Sequence, residues 1–473
     1  MRLAVVAVVA ALEASCNIAH AQMSAMGVGH SGPSPARVAT VTANLSNLGY
    51  TIPNNFVGLS SEVGDLISGY FQGTSGANGT YVSLVNLLGS HGVWRIGGLS
   101  SDGASAAPAL TSGIASAFAS FISGLGANWT VIYGLDLRVG NAALAATQAG
   151  YVATVLGAGN VTFQFGNEPD GYYTQSQYVT AWNSYYASVS GSVSGANYAA
   201  YDGGSWARLV TYTTGLSLSV SQLKYLTQHW YNNCNGPPAW TPAQVINSLN
   251  TNLTPYFGIG GISVGFAQNQ YYAGSTAEQL SESNSCSSGG LAGVSDRLSG
   301  ATWYVNEAIT FANLGWSGIN THNAYTSFFT PNGPYNPVVQ ETDNNFGPGP
   351  IFYGLFLFSK IEGQQTAAVS IGGNANVNAI ATKGGNGNAN ILVVNNDQNS
   401  PVTVTPAQSS AWTTANVLKM STSDGANCTS ANPIVGGQPI GEGGTWTGSS
   451  VALASGASVT LQPCEAALIQ IQP

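Results

Sequence analysis

Phe163-Gln164-Phe165-Gly166-Asn167-Glu168-Pro169-Asp170 reads as a short apolar strand that stops on an Asn-Glu-Pro turn. The chain is 473 residues long and holds only ten Glu. One of them stands at a strand mouth, beside an amide and ahead of a proline. A carboxylic acid held this way suits proton delivery to a leaving oxygen. The bland alternative is a solvated turn, and the surrounding chain decides between the two.

Outward from that strand, short apolar segments alternate with helical or Ala-rich stretches from about residue 55. Strands are expected near 56–61, 92–97, 130–136, 161–166, 196–202, 224–230, 277–282 and 316–320. Helices are expected at 80–90, 110–124, 142–155, 175–190 and 300–313. Eight strands with intervening helices over about 300 residues predict an α/β fold, a (β/α)8 TIM barrel. Residues 37–46 alternate like a half-buried strand. After Lys360, short β runs at 367–369, 390–394, 401–405 and 458–461 lie between Gly/Asn-rich turns. This texture predicts an all-β sandwich, which the lone N-terminal strand would join. The expected organisation is a leader at 1–21, an N-terminal segment at 22–50 that lends a strand to the β domain, a catalytic barrel at 51–365 and a β-sandwich at 366–473.

Charged residues make up 6% of the chain, against about 25% in an average protein. Hydrophobic residues make up 44%, so a large core is available and the composition is not a disordered one. Net charge is −9, with ten Lys plus Arg. Phosphate binding needs clustered cations, so a nucleic-acid partner is excluded, and a polysulfated substrate is disfavoured for the same reason. Few ion pairs are available for acid to break, which predicts tolerance of low pH.

Met1-Arg2, the apolar run Leu3 to Leu12 and Ala19-His20-Ala21 before Gln22 read as a cleavable signal peptide. The run is too short to span a bilayer, and no later stretch reads as a membrane span. A secreted or periplasmic protein, acting as a monomer, is expected. Cleavage leaves Cys234, Cys286, Cys428 and Cys464, which allow three pairings. Proximity in sequence favours Cys234–Cys286 and Cys428–Cys464. No metal-ligand spacing is present, and no metal or cofactor is expected.

In a (β/α)8 barrel the chemistry sits at the C-terminal ends of the strands. Those ends supply Glu62; Arg95 and Ser100 to Asp102; Asp136 and Arg138; Asn167 and Glu168; Asp202; His229 and Tyr231; Glu282; and His322 and Asn323. Solubility alone would scatter ionisable groups in so charge-poor a chain. Glycoside cleavage needs one protonated and one ionised carboxyl, and Glu168 and Glu282 are the best pair. Glu278, Glu307 and Glu341 compete; Glu307 reads as helical, and Glu278 precedes the strand mouth. Asn167 is placed to bond a sugar 2-hydroxyl, and Tyr231 to orient the nucleophile. Arg138 or Arg95 could tune the carboxylates or serve as structural ion pairs. His229 and His322 are supporting residues.

These motifs together resemble glycoside hydrolase family 79, the β-glucuronidases and heparanases of the retaining (β/α)8 clan. Gly166-Asn167-Glu168-Pro169-Asp170 is similar to that family's acid/base motif. Leu280-Ser281-Glu282-Ser283-Asn284-Ser285, with Gly289-Gly290 and Gly293-Val294-Ser295-Asp296, is similar to its nucleophile segment. Gly58-Leu59-Ser60-Ser61-Glu62, Arg95-Ile96-Gly97-Gly98, His229-Trp230-Tyr231, Gly318-Ile319-Asn320-Thr321-His322 and Phe352-Tyr353-Gly354 follow in family order. The resemblance covers about residues 50–365. It implies Glu168 as general acid/base and Glu282 as nucleophile. It also implies that backbone N–H groups near Gly289 and Gly290 cradle a glucuronate carboxylate, with Tyr325 as a further donor and Glu62 on a sugar hydroxyl. Glycines admit close backbone approach, and successive N–H groups bind an anion without a Lys or Arg. Ser287 stands where some relatives carry Tyr, and Leu99 where a polar residue is common.

The expected activity is therefore a retaining β-glucuronidase acting on terminal glucuronate, 4-O-substituted or not, in glycosides or glycans. A heparanase-like endo-enzyme is disfavoured by the scarcity of Lys and Arg. A non-catalytic sugar-binding protein is disfavoured by the presence of both carboxylates. An enzyme for neutral sugars would have no need of the glycine nest.

Overall fold

The computed structural model describes residues 37–73, 76–103, 110–204, 208–232, 234, 238–248, 274, 276–325, 332–342 and 345–472. The leader expected at 1–21 lies outside them.

The chain opens with strand β1 (Arg37–Thr51) and then enters the barrel at β2 (Val57–Glu62). A small hairpin follows, β3 (Gln72–Gly73) and β4 (Gly76–Ala77). The barrel continues through β5 (His91–Gly97), β6 (Asn128–Leu135), β7 (Val161–Phe165), β8 (Asn197–Gly203), β9 (Tyr225–Tyr231), β10 (Ala277–Asn284) and β11 (Gly318–Asn323). These strands close in the order β10-β11-β2-β5-β6-β7-β8-β9, and every adjacent pair is parallel. All eight strands and all five helices expected from sequence are present, with ends shifted by a few residues. Every residue of β2, β7 and β11 is buried, as parallel strands covered on both faces require. The helices are capped by neutral groups in keeping with the low charge. Asn78, Thr111, Asn141 and Thr174 each accept a first-turn N–H, and Thr174 forms a capping box with Gln177.

A second hairpin, β12 (Val338–Thr342) and β13 (Asn345–Pro348), precedes the helix Pro350–Ser359. That helix was not expected from sequence. Its Ile-Phe-Tyr-Gly-Leu-Phe-Leu-Phe run is buried all round, so it carries no amphipathic period. It packs on the helix Leu298–Leu314 so closely that a Cβ on Gly354 would meet the Ala301 carbonyl at 2.6 Å.

The C-terminal strands are β14 (Gln365–Gly373), β15 (Val377–Lys383), β16 (Ala389–Asn395), β17 (Val402–Gln408), β18 (Thr414–Thr422), β19 (Pro433–Val435), β20 (Val451–Ala454), β21 (Val459–Leu461) and β22 (Ala466–Gln472). With β1 they form one ten-stranded sheet in the order β19-β18-β22-β16-β15-β14-β1-β17-β21, with β20 on β18. The N-terminal strand joins this sheet as expected, antiparallel to β14 and parallel to β17. β16 and β17 lie four strands apart in the order yet touch, so the sheet folds over on itself. Its inner core takes Ala379, Ala381, Ile391, Val393, Ala415, Val417, Ala467 and Ile469. The alternate residues Ile380, Leu392, Val394, Leu418, Met420 and Leu468 belong to the core of the barrel. The period of two thus serves two cores at once. Cys234–Cys286 and Cys428–Cys464 are disulfide-bonded, the pairing favoured by proximity.

Candidate active site

β7 ends on Phe165, and the chain turns at once. Gly166 has φ +84 and Glu168 has φ +48 with ψ 51. The left-handed conformation at a non-glycine residue costs on the order of 1–3 kcal/mol and tends to gather at functional sites. The Glu168 N–H donates to the Asp202 carbonyl at 2.9 Å. Pro169 then begins a single 3-10 turn, Pro169–Gly171. The Glu168 side chain is left 48% exposed at the barrel mouth, where a leaving group has access to it.

Glu282 arrives by another device. Leu280 pairs with Gln228 and Glu282 with His229, so Ser281 is an extra residue in β10. β8 carries a matching irregularity: Tyr201 pairs with Thr227 and Gly203 with Gln228, which leaves Asp202 extra. Both bulges flank β9, and they meet, because the Ser281 hydroxyl donates to Asp202 Oδ1 at 2.7 Å. Bulges re-aim side chains beside active sites, and here they turn Glu282 and Asp202 onto the same histidine.

Glu282 Oε1 accepts from the Tyr231 hydroxyl at 2.7 Å, and Oε2 accepts from Arg95 Nη1. Arg95 is fully buried. Its Nη2 donates to Asn167 Oδ1 at 2.8 Å and to Asp202 Oδ2 at 2.7 Å. The oxygen of the Asn167 amide is thereby fixed toward Arg95, and its NH2 has no partner among the described residues. His229 sets Nδ1 3.1 Å from Glu168 Oε1 and Nε2 2.7 Å from Asp202 Oδ1. That Nε2 is also 4.0 Å from Glu282 Oε2. His322 Nδ1 lies 3.0 Å from the Ser60 hydroxyl and 3.9 Å from Glu282 Oε2.

Burial works against ionisation of Glu282, but His322, His229 and Arg95, with the Tyr231 hydrogen bond, outweigh it and hold this carboxyl well below its ordinary range. Burial also opposes the charged form of His229. Asp202 above all, then Glu282 and Glu168, pushes it up to about 10, so the ring is an imidazolium with both nitrogens donating. His322 is raised against its burial by Glu282 and Glu62. The mouth therefore presents an ionised, buried Glu282 beside a half-exposed Glu168.

Of the remaining expected residues, Glu62 is buried, and its carboxylate is held by the N–H groups of Leu99 and Ser100 at 3.2 and 2.8 Å. His322 Nε2 lies 3.6 Å from it. Ser288, Gly289 and Gly290 have φ +56, +88 and +96, a left-handed run just after the Cys286 bridge. The Gly290 N–H closes a turn on the Ser287 carbonyl at 3.3 Å. The N–H groups of Ser288 and Gly289 have no partner among the described residues.

Two expected residues are not brought to the carboxylates. After β11 the chain turns under the helix Val63–Ile67, where the Tyr325 N–H donates to Asp65 Oδ1 at 3.0 Å. The Tyr325 hydroxyl donates to the Val338 carbonyl at 3.0 Å, and its ring stacks on Tyr70, inside the core. Arg138 lies exposed past the end of β6, its guanidinium 5.1 Å over the Tyr172 ring, with no ion pair among the described residues. The competing carboxyls lie elsewhere. Glu278 is in the lower half of β10, Glu307 is on the helix Leu298–Leu314, and Glu341 is exposed on a hairpin.

Sequence reasoning gave no role to three contributors. Asp202 is one. Asp102 is another: it accepts the Asn167 N–H at 2.7 Å and the Tyr172 hydroxyl, so it braces the acid/base turn from below. Burial, only partly offset by Tyr172, pushes its carboxyl up to about 7. Tyr335 is the third. Its ring stacks 6.4 Å from Tyr231, and its hydroxyl has no partner among the described residues. A Cβ on Gly290 would meet Tyr335 Cβ at 2.8 Å, so the glycine run and Tyr335 form one wall. Bulges and loop packing placed all three, and neither has a sequence signature. Among the described residues no group of three or more His, Cys, Asp or Glu could hold a metal ion.

No family model matches the chain, and no curated protein sequence matches it. Solved structures do. A 4-O-α-L-rhamnosyl-β-D-glucuronidase from Fusarium oxysporum 12S, in complex with Rha-GlcA, superposes with a TM-score of 0.66 at 18% identity, over 91% of this chain and 100% of that one. A glycoside hydrolase family 51 arabinofuranosidase from Xanthomonas axonopodis pv. citri gives 0.66 at 14% identity, over 92% and 100%. A family 44 xyloglucanase from Paenibacillus polymyxa, with xyloglucan, gives 0.60 at 11% identity, over 92% and 100%. The chain shares the barrel-and-sheet architecture of these glycoside hydrolases.

Proposed function

We propose that this chain is a retaining glycoside hydrolase that removes terminal β-linked glucuronic acid. The observation that carries the catalytic part is the pairing of an ionised Glu282, held by Tyr231 and Arg95, with a half-exposed Glu168 across one imidazolium. Glu282 attacks the anomeric carbon while Glu168 protonates the leaving oxygen. Water then hydrolyses the glycosyl ester, and Glu168 takes its proton. The Asn167 NH2 faces the sugar, in reach of a 2-hydroxyl.

The glucuronate part rests on the left-handed run at Ser288–Gly290, where the N–H groups of Ser288 and Gly289, unpartnered among the described residues, suit a carboxylate. The Tyr335 hydroxyl, which has no partner among the described residues, is the tyrosine donor for the same anion, rather than the Tyr325 hydroxyl, which is spent on the Val338 carbonyl. Architectural likeness to a glucuronidase crystallised with Rha-GlcA adds support, and it brings 4-O-rhamnosyl glucuronides into the substrate panel. The leader and two disulfides favour an extracytoplasmic site of action.

The test is hydrolysis of p-nitrophenyl β-D-glucuronide at mildly acid pH, beside the glucoside and xyloside. Release from the glucuronide alone is expected. Glu168→Ala should lower the rate by about 10²–10⁴-fold on a poor leaving group, with activity on the nitrophenyl substrate restored by azide. Release from a neutral sugar instead would remove the glucuronate part of the reading.

A further inference from the structure

The ionisable groups of the mouth form one connected chain of contacts. Glu168 meets His229, and His229 meets Asp202 and Glu282. Arg95 ties Asp202 to Glu282, and His322 ties Glu282 to Glu62. The cations are Arg95, His229 and His322. Asp202, Glu282 and Glu62 are the carboxylates besides Glu168. Their formal charges cancel when Glu168 carries its proton.

Asp202 differs from the other carboxylates in this chain of contacts. It is fully buried, and both oxygens are taken, by Arg95 on one side and by His229 and Ser281 on the other. No substrate can reach it. Nearby charges outside the chain are accounted for locally. Asp170 lies 3.6 Å from Arg208, Asp102 takes the Tyr172 hydroxyl, and Asp65 accepts the N–H groups of Glu62 and Tyr325. The phenols of Tyr231 and Tyr178 also border the cluster, near Glu168 and Asp202 respectively.

We propose that Asp202 is a positioning residue for both proton transfers: it fixes His229 as a cation between the two catalytic carboxylates, so that one negative charge is balanced on either side of that ring. In the first step a Glu282 oxygen bonds the anomeric carbon, the glycosidic bond breaks, and the Glu168 proton leaves with the departing oxygen. Glu282 becomes a neutral ester, and the negative charge moves across His229 from 4.0 Å on one side to 3.1 Å on the other. In the second step water adds to the anomeric carbon, its proton goes to Glu168, and Glu282 is released as carboxylate. Total charge at the mouth is constant throughout, which the low dielectric around the buried His229, Asp202 and Glu282 favours. This inference rests on Glu168 and Glu282 as acid/base and nucleophile, and the identity of the sugar does not enter it.

The test follows the His229 ring directly, by 15N NMR titration of His-labelled protein with the signals identified through His229→Asn. In the wild type both ring nitrogens should stay protonated through about pH 8, because the ring is held up to about 10. Asp202→Asn leaves burial working against the charged ring, and its midpoint should fall by about 1–3 pH units. Asp202→Ser, a smaller neutral variant, should give the same fall if Asp202→Asn does not fold. A midpoint that stays at the wild-type value in a folded neutral variant overturns the proposal. A wild type inactive on p-nitrophenyl β-D-glucuronide would sink the substrate reading and leave the titration interpretable, because the titration needs no substrate.

Discussion

The upper and lower halves of β10 carry the same residue type into opposite states. Glu278 is 1% exposed, and both its oxygens lack a partner among the described residues. Burial alone acts on it and pushes its carboxyl well above the ordinary range. Glu282 is 8% exposed and is pushed the other way by three cations and a phenol. Depth does not decide whether a buried carboxyl is charged; the company it keeps does. In a chain with ten Lys plus Arg, Arg95 is placed at the mouth, and among the described residues no cation pairs with Glu278.

Substitution at the two positions tests this contrast most severely. Glu282→Gln should lower kcat by about 10⁵–10⁶-fold, the scale of losing a covalent nucleophile. Glu278→Gln, an amide in place of a neutral acid, should leave kcat within about twofold. Comparable losses in both would break the comparison.

The next effect concerns the wall beside Glu282. Gly290→Ala forces a Cβ into Tyr335 at a φ of +96, which L residues rarely adopt. We expect kcat/KM on a glucuronide to fall by about 10–100-fold, or 1.4–2.7 kcal/mol, with any activity on neutral glycosides unchanged. An equal loss on both would assign the loop to general scaffolding.

A smaller effect belongs to another buried acid outside the mouth, Glu307. Burial pushes Glu307 up to about 8, although the Ser283 hydroxyl bonds it. Its folded value is raised, so its stabilisation is complete below the ordinary 4.5 and is lost as pH rises through about 8. Glu307→Gln should flatten the fall of Tm across that window, with about 1 °C for each kcal/mol recovered in a chain of this length. A Tm profile with the wild-type slope would mean the carboxyl is ionised in the fold. Arg138→Ala should change least, within about 0.5 kcal/mol in stability and twofold in kcat. A larger drop in kcat would restore Arg138 as a tuner of the carboxylates.

The barrel was legible because strands such as β6 and β7 are apolar runs closed by polar residues and separated by helices of ordinary period, while the polar β10 is placed by its position in that alternation. The buried helix Pro350–Ser359 was not, because a segment apolar on every side has no period to read. The same limit applies to the site. Glu168 and Glu282 announce themselves by their turn and glycines. The role of Asp202 depends on extra residues in β8 and β10, and a bulge leaves no mark in a sequence. No motif marks either Tyr325 or Tyr335, and it is tertiary packing that puts the first ring in the core and leaves the second hydroxyl without a partner among the described residues.

The placement of β1 has a consequence for how the protein is made. Thr51 pairs with Gln365, and the parallel register with β17 runs from Arg37 with Val402 to Ala43 with Gln408. At a synthesis rate of about 5–20 residues per second, the first strand waits on the order of 15–60 s for its partners. Throughout that interval its backbone edge is unclaimed, and the whole barrel must grow inside the gap. The sheet works as a clasp fastened last, and a helper that shields a nascent strand would matter more for this chain than for a barrel whose ends are its own.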